Sequence, residues 1–213
     1  MNKKDIAKEC MKIFWIFIIG SVIGYILETI VVICQKGYFE SRQGLIYGPF
    51  TPVYGIGGVF YYLVFSKIKT RNIAKVFLIS MIIGGTIEYL CSFFQEKFFG
   101  TISWDYSNLA FNLNGRTSLL HCTYWGLLGI FYIICIEPLI SKMEDLCKNK
   151  AIKILTIVLA IFMTANIVIS WMAGNRQKER TQGLPAQNKV DVFLDKYYPD
   201  EKMDKVYTNK KTI

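Results

Sequence analysis

The chain has 213 residues, of which 53% are hydrophobic, and its mean hydropathy is +0.32. Apolar runs near the length of a bilayer crossing argue against a soluble globular protein and indicate an integral membrane protein. An excess of Lys and Arg over Asp and Glu, 25 against 16, would suggest a nucleic-acid partner for a soluble protein. Here most basic residues flank apolar runs, so we predict membrane lipids as partners and no nucleic acid.

Apolar runs divide the first 172 residues into five predicted transmembrane helices, at about residues 13–34, 48–65, 76–94, 118–140 and 152–172. At about 1.5 Å of rise per residue, the first run spans the roughly 30 Å hydrocarbon core with some tilt. Pro49 and Pro52 lie in the first turn of the second run, where a missing backbone N–H costs little. The sequence therefore predicts an all-α fold, a polytopic membrane helix bundle formed by residues 1–172.

Basic residues alternate in number between the two ends of these helices. Four precede the first run, and the connections that follow carry two, four, two and four. The positive-inside rule then predicts a cytoplasmic amino terminus, and five crossings place the polar C-terminal tail, residues 173–213, outside. Within the tail, NKVDVFLDKYY has apolar residues on one helical face and PDE resembles a second helix start. We expect short helices that form an interfacial or docking arm, with full disorder as the alternative.

The sequence contains few residues suited to metal or covalent chemistry. Six cysteines show no CxxC spacing, and four lie within apolar runs, so we interpret them as small apolar side chains. A bridge among Cys34, Cys91 and Cys122 is the alternative. His121 is the single histidine, and P-loop, GxSxG and HExxH motifs are missing. We predict no metal site and no cofactor, and we favour a protein that is not an enzyme.

Two stretches 60 residues apart carry similar motifs, GYILE at residues 24–28 and GGTIE at residues 84–88. Each is followed by a loop with an arginine, Arg42 or Arg116, and then by an aromatic-Gly pair. The pattern predicts a parallel two-helix internal repeat, with chance similarity in glycine-rich apolar sequence as the alternative. The last residue of each motif, a glutamate, lies six residues before its apolar run ends, so we expect both about 9 Å below the outer boundary.

An ionisable side chain at membrane depth is costly and usually faces a partner or a water-filled cavity. We expect Glu28 and Glu88 to meet Arg42, Arg116 and Asp105 in one outward-facing polar pocket. The alternative is a set of ion pairs that only tie loops to helices. The predicted ligand-binding residues are Glu28, Arg42, Tyr54, Glu88, Trp104, Asp105, Tyr106, Asn114, Arg116 and Trp125.

Several motifs in this order resemble the putative ABC-transporter type IV family of bacterial membrane proteins, also called CmpB-type permeases. They are GYILET, ESRQGLIYGPFTPVYGIGG, an Ile-Glu pair in the third helix, EKFFGTISWDYSNLAFNLNGR and YWGLLG. The resemblance covers roughly residues 10–140, and RTQGLPAQN and FLDKYYPDEKM in the tail are also similar. Where the family pattern leads us to expect a hydroxyl after the Gly-Arg pair, this chain has His121 and Cys122.

The resemblance implies a multi-pass protein of the bacterial cell membrane that acts in transport as a permease-like subunit beside a separate ATPase. Its polar pocket would then receive a small anionic or zwitterionic solute. Five helices are few for a pore, so we expect a homo-oligomer. Two alternatives stay open: a membrane-embedded enzyme or lipid-headgroup-binding protein that uses the paired carboxylates and arginines at the outer leaflet, and a structural accessory protein.

Overall fold

The computed structural model describes residues 3–146 and 149–212, so Cys147 and Lys148, which entered the cysteine and charge patterns above, lie outside the described residues. The helices are α1 Lys3–Lys36, α2 Pro52–Ile68, α3 Ile73–Phe99, α4 Leu119–Phe131, α5 Glu137–Leu146, α6 Lys150–Thr181, α7 Lys189–Tyr197 and α8 Asp200–Val206. A π-helical segment, Tyr132–Ile136, joins α4 to α5. Two-residue strands pair antiparallel: β1 Thr101–Ile102 with β4 Lys211–Thr212, and β2 Asn112–Leu113 with β3 Thr117–Ser118. The predicted all-α class is confirmed.

Among the described residues, four helical segments are long and apolar enough to cross a membrane, and each corresponds to one predicted crossing. They are residues 5–36, 73–99, 119–140 and 150–181. The remaining predicted crossing, 48–65, corresponds to α2, which has only 17 residues. It begins four residues late because Gly48 has a left-handed φ of 79° and Thr51 is extended, so the chain turns helical only at Pro52. Five crossings therefore remain a prediction.

The segment between α1 and α2 returns into the bundle instead of staying at the end of α1. The Thr51 N–H donates to the Ser21 carbonyl at 3.0 Å. Because Ser21 precedes the last residue of α1 by fifteen positions, this contact lies about 22 Å back along the helix. In α6, Asn166 accepts from the Tyr47 N–H at 3.1 Å and donates to its carbonyl at 2.7 Å. An irregular backbone at membrane depth needs such protein partners, since lipid offers none.

The helix pairs α1–α2 and α3–α4 pack with the same register. Gly55 of α2 lies against Phe17 of α1, and Gly126 of α4 lies against Phe77 of α3. The second contact follows the first by 60 residues on the long helix and by 71 on the short helix. In both pairs, a missing side chain on the short helix lets the two helices approach closely.

The end of α6 and the tail form one docked unit. α6 continues nine residues past its predicted end at residue 172, because the buried Arg176 there meets the carboxylate of Asp195 through two hydrogen bonds of 2.9 Å. α7 and α8 fold back and bury an apolar cluster of Ile46, Ala173, Leu194, Tyr198 and Met203. The tail therefore contains the expected short helices, and the alternative of full disorder is wrong.

Described cysteines all carry free thiols, so the alternative of a bridge among Cys34, Cys91 and Cys122 is wrong. Cys34 is exposed, whereas the other two are partly buried. The Sγ of Cys122 lies where a Cβ on Gly85 would stand, only 2.5 Å away, so this thiol fills space between α3 and α4. That packing is the role expected of a small apolar side chain.

Candidate functional site

A cavity of about 490 Å³ lies where α1, α2, α3 and α6 meet the tail. Its volume is within the range of about 300–1,000 Å³ that is common for small-molecule sites. The tail contributes Tyr207, Asn209 and Lys210 to the wall. The apolar part of the wall is formed by Phe17, Leu45, Val53, Ile56, Phe99, Ile167 and Trp171.

Glu28 and Arg42 form an ion pair in the cavity wall. The Arg42 Nε donates to Glu28 Oε2 at 3.3 Å, and Nη1 donates to Glu40 Oε1 at 3.3 Å. The Tyr54 hydroxyl donates to the other oxygen of Glu28 at 3.0 Å. The ammonium of Lys36, bonded to Glu40 at 2.6 Å, holds the pKa of that carboxyl below its ordinary value. Two carboxylates therefore share the charge of Arg42, and a ligand anion has to compete with them.

Glu88 is buried, with 7% of its surface exposed, and its partners are hydroxyl groups. Thr117 Oγ1 donates to one carboxylate oxygen at 2.7 Å, and the Tyr106 hydroxyl donates to the other at 3.1 Å. Burial raises the pKa of Tyr106 above its ordinary value, so the phenol stays protonated and remains a donor. Among the described basic side chains, none forms an ion pair with Glu88.

Arg116 does not meet Glu88, contrary to the expected convergence in one pocket. The Arg116 guanidinium hydrogen-bonds Glu96 instead and lies 5.5 Å from the ring centroids of Tyr89 and Phe93. Glu96 is two turns nearer the end of α3, level with the loop from which Arg116 emerges, so the arginine meets it first. The Arg116 Nε is buried without a hydrogen-bond partner in the part of the chain described.

Packed aromatic rings connect the surroundings of the two glutamates. Tyr54 bonds to Glu28, and Trp125 contacts Gly84, one turn from Glu88 in α3. Trp125, 5% exposed, stacks on Tyr54 with ring centroids 5.1 Å apart and fills the space between the helix pairs α1–α2 and α3–α4. Of the five residues expected to converge in the polar pocket, Glu28 and Arg42 line the cavity, whereas Glu88, Arg116 and Asp105 do not.

Asp105 and Asn114 belong to the exposed loop between α3 and α4. Asp105 accepts from the Ser107 N–H at 2.9 Å, and the Ser107 hydroxyl and N–H hold the pKa of Asp105 below its ordinary value. Its expected position in the polar pocket is therefore wrong, because a local turn satisfies the carboxylate. Asn114 has a left-handed φ of 52° and donates to the Tyr89 hydroxyl at 3.1 Å.

The predicted site residues therefore fall into three groups. Glu28, Arg42 and Trp104 line the cavity. Beside the cavity, Tyr54, Glu88, Tyr106 and Trp125 form a buried cluster. The α3–α4 loop contains Asp105, Asn114 and Arg116.

Several residues that shape the site were not predicted from the sequence. Asn166 and Ser170 of α6 hold the returning segment, Ser170 by accepting from the Ile46 N–H at 3.0 Å. Their spacing of four residues within an apolar run was a usable signal, since it places both on one helix face. No comparable signal marks Lys210, which is one of several lysines near the end of the chain.

His121 lies in α4 and packs against the α3–α4 loop. Its ring stacks on Tyr106 at a centroid distance of 3.6 Å, and its Nδ1 lies 2.8 Å from the Ser118 hydroxyl. Within residues 3–146 and 149–212, no cluster of His, Cys, Asp and Glu is suited to hold a metal ion.

Comparison with protein families matches residues 15–171 to the family described as putative ABC-transporter type IV. The matched part runs from within α1 to within α6, and it ends before the tail that covers the cavity. Searches of curated proteins and of solved structures found no match to the chain.

Proposed function

The chain belongs to the putative ABC-transporter type IV family, and on this premise we propose that it is a permease-like membrane subunit of a transport system. A separate ATPase drives the system, and a small anionic or zwitterionic solute enters the cavity at Glu28 and Arg42. The observation that supports this proposal is the cavity of about 490 Å³ with that ion pair in its wall.

The start of α2 supports an anionic group in the solute. Thr51, Pro52 and Val53 line the cavity, so the first turn of α2 faces its interior. Thr51 does not cap the helix with its side chain, because its hydroxyl donates to the Arg42 carbonyl at 2.9 Å. The positive end of the helix dipole therefore faces the cavity, as in transporters whose interrupted helices bind anionic substrate groups.

We propose an orientation with the amino terminus and the α2–α3 connection in the cytoplasm and the cavity with the tail outside. The basic residues Lys67, Lys69, Arg71 and Lys75 cluster at the cytoplasmic side and offer a contact surface for the ATPase. The tail lies on the side of the α1–α2 segment, where the Tyr47 and Tyr198 hydroxyls are 2.7 Å apart. The shared register of the two helix pairs favours the internal repeat.

A lipid-binding protein is the second candidate function. It is favoured by the apolar residues that make up most of the cavity wall. The paired-carboxylate enzyme has less support, because Arg116 is bound to Glu96 and Glu88 is buried beside the cavity instead of lining it.

The permease proposal is tested by purification in a mild detergent, with mass spectrometry of co-purifying proteins and of small molecules released on denaturation. We expect a nucleotide-binding ATPase and a released solute that is lost from Arg42→Gln but retained by Lys205→Gln. Lys205 is the matched control because it is exposed on α8 and does not line the cavity. Recovery of no ATPase, together with identical released molecules from both variants, would show that the proposal is wrong.

A further inference from the structure

Lys210 brings a positive charge to the cavity wall from the tail. Its ammonium hydrogen-bonds the neutral Gln177 amide oxygen and lies 5.6 Å from the centroid of the Tyr207 ring. Lys210 forms no ion pair with any carboxylate among the described residues. A partly buried ammonium with only neutral partners has lost hydration without gaining a counter-ion.

The nearest acidic groups are already engaged by other donors. Asp204 accepts from the Gln177 amide at 2.9 Å, and Asp200 accepts from Arg180 at 2.6 and 2.8 Å. Burial lowers the pKa of Lys210, and the charges of Asp204 and Asp200 offset part of that effect. The ammonium therefore retains the capacity to bind an anion that enters the cavity.

Contacts of the tail to the α1–α2 segment and to the α3–α4 loop hold Lys210 over the cavity. On one side, the Thr208 hydroxyl donates to the Ser41 carbonyl at 2.9 Å. On the other side, the Asn209 amide donates to the Ser103 carbonyl at 2.9 Å, and β4, which follows Lys210 directly, pairs with β1. The backbone that carries Lys210 is therefore anchored on both sides of the cavity, and Gln177 holds the ammonium.

The rest of the wall is suited to a hydrocarbon chain. Ile167 and Trp171 of α6 line the cavity and are also 43% and 52% exposed, so the wall continues onto the lipid-facing surface. Across the cavity, α3 contributes Cys91 and Phe99. An apolar path thus runs from the surrounding lipid into the cavity between α3 and α6.

We propose that the cavity binds an anionic amphiphile of the surrounding leaflet, with its hydrocarbon chain between α3 and α6 and its anionic head on Lys210. The proposal rests on the permease function above and names the class of its solute. The head is a single negative group such as a phosphate, because one ammonium faces it. Arg42 contributes less to binding of the head than Lys210 does, since Glu28 and Glu40 already share its charge.

The test uses the full chain in nanodiscs of phosphatidylcholine, where Trp104 and Trp171 in the cavity wall report chain binding. Phosphatidic acid with brominated chains is added as the probe, and quenching is compared with brominated phosphatidylcholine at the same fraction. We expect stronger quenching by the anionic lipid. Lys210→Gln should weaken its binding about tenfold or more, since it removes a charge-assisted hydrogen bond.

Matched variants separate charge, shape and fold. Lys205→Gln changes an exposed lysine of the same tail and should bind as wild type, whereas Lys210→Arg should restore most of the affinity. Ile167→Phe narrows the cavity and should reduce quenching, but Ile161→Phe on the lipid-facing side should not. Circular dichroism confirms that each variant is folded.

Three outcomes would overturn the proposal. Unchanged binding of phosphatidic acid by Lys210→Gln would show that Lys210 does not bind the anionic head. Competition by water-soluble glycerol 1-phosphate at equal affinity would show that a free anion, without a chain, is the ligand. Recovery of an ATPase whose activity requires an open cavity, without selective quenching by anionic lipid, would leave the permease function in place. Selective lipid binding without any ATPase would instead contradict the permease function and support the lipid site.

Discussion

The two halves of the bundle, the helix pairs α1–α2 and α3–α4, have the same packing but different electrostatics. Gly24 meets Tyr54 in the first half, and Gly84 meets Trp125 in the second, at matching positions of the two helix pairs. Yet Glu28 is 29% exposed and paired with an arginine at the cavity, whereas the second glutamate is buried among hydroxyl groups. The similar sequence motifs therefore indicate similar helix packing but not similar surroundings of the two glutamates.

The connecting segments explain this difference. The α1–α2 segment is drawn back along α1 and held by Asn166, which carries Arg42 down to Glu28. The longer α3–α4 loop forms the β2–β3 hairpin and keeps Arg116 near the end of α3. The first half thus places the Glu28–Arg42 ion pair at the cavity, whereas the second half buries the carboxylate of Glu88.

The largest expected loss of stability follows from overpacking a close helix contact in the second half. A Cβ on Gly84 would lie 2.2 Å from the Trp125 side chain, whereas a Cβ on Gly58 would lie 3.4 Å from Ile16. We expect Gly84→Ala to lower the free energy of unfolding by about 3 kcal/mol because of overpacking. Gly58→Ala is the control and should be nearly neutral. Equal thermal stability of the two variants in detergent would contradict this packing.

Loss of the Asn166 amide should affect the first half specifically. Asn166→Leu leaves the Tyr47 N–H and carbonyl without partners at membrane depth, so we expect a loss of about 2 kcal/mol. The same variant should release the α1–α2 segment, which faster hydrogen exchange at residues 44–51 would report. Thr164→Leu on the exposed side of α6 is the control. Unchanged exchange at residues 44–51 would show that the amide does not hold the segment.

The different surroundings of the two glutamates can be compared by removal of one hydroxyl from each. Thr117→Val takes the 2.7 Å donor from the buried Glu88, and we expect a loss of about 2 kcal/mol. Tyr54→Phe takes one donor from Glu28, which keeps Arg42, so the loss should be about 1 kcal/mol or less. Chemical denaturation in mixed micelles measures both. A larger loss for Tyr54→Phe would reverse the assignment of the two environments.

The helices were predictable from the sequence because long apolar runs have one stable solution in a membrane. The third run, predicted at residues 76–94, lies within α3, and its glycines pack as close contacts. The partner of Arg116 was not predictable, because it depends on how far the hairpin carries the guanidinium along α3. The sequence predicted an interfacial or docking arm but not its contacts, since Arg176 meets Asp195 across a turn whose direction no local pattern sets.

The smallest expected effect concerns the tail, which covers the cavity of the first half and leaves the Glu88 cluster untouched. The guanidinium of Arg176 holds the pKa of Asp195 at about 2, below the ordinary value. A carboxyl with a lowered folded pKa stabilises docking fully above about pH 4 and loses this contribution as the pH falls toward about 2. Pepsin, which is active in this range, should cleave residues 182–212 faster as the pH falls.

The comparison with Asp195→Asn removes the pH dependence of pepsin itself from this measurement. The variant should be cleaved faster than wild type at pH 4, and the two rates should converge toward pH 2 because protonation abolishes the same ion pairs with Arg176 and Arg180. Asp191→Asn is the control, since Asp191 accepts only from the Gln187 N–H among its hydrogen bonds in the described chain. A wild-type to variant ratio that stays constant from pH 4 to pH 2 would show that these ion pairs do not hold the tail over the cavity.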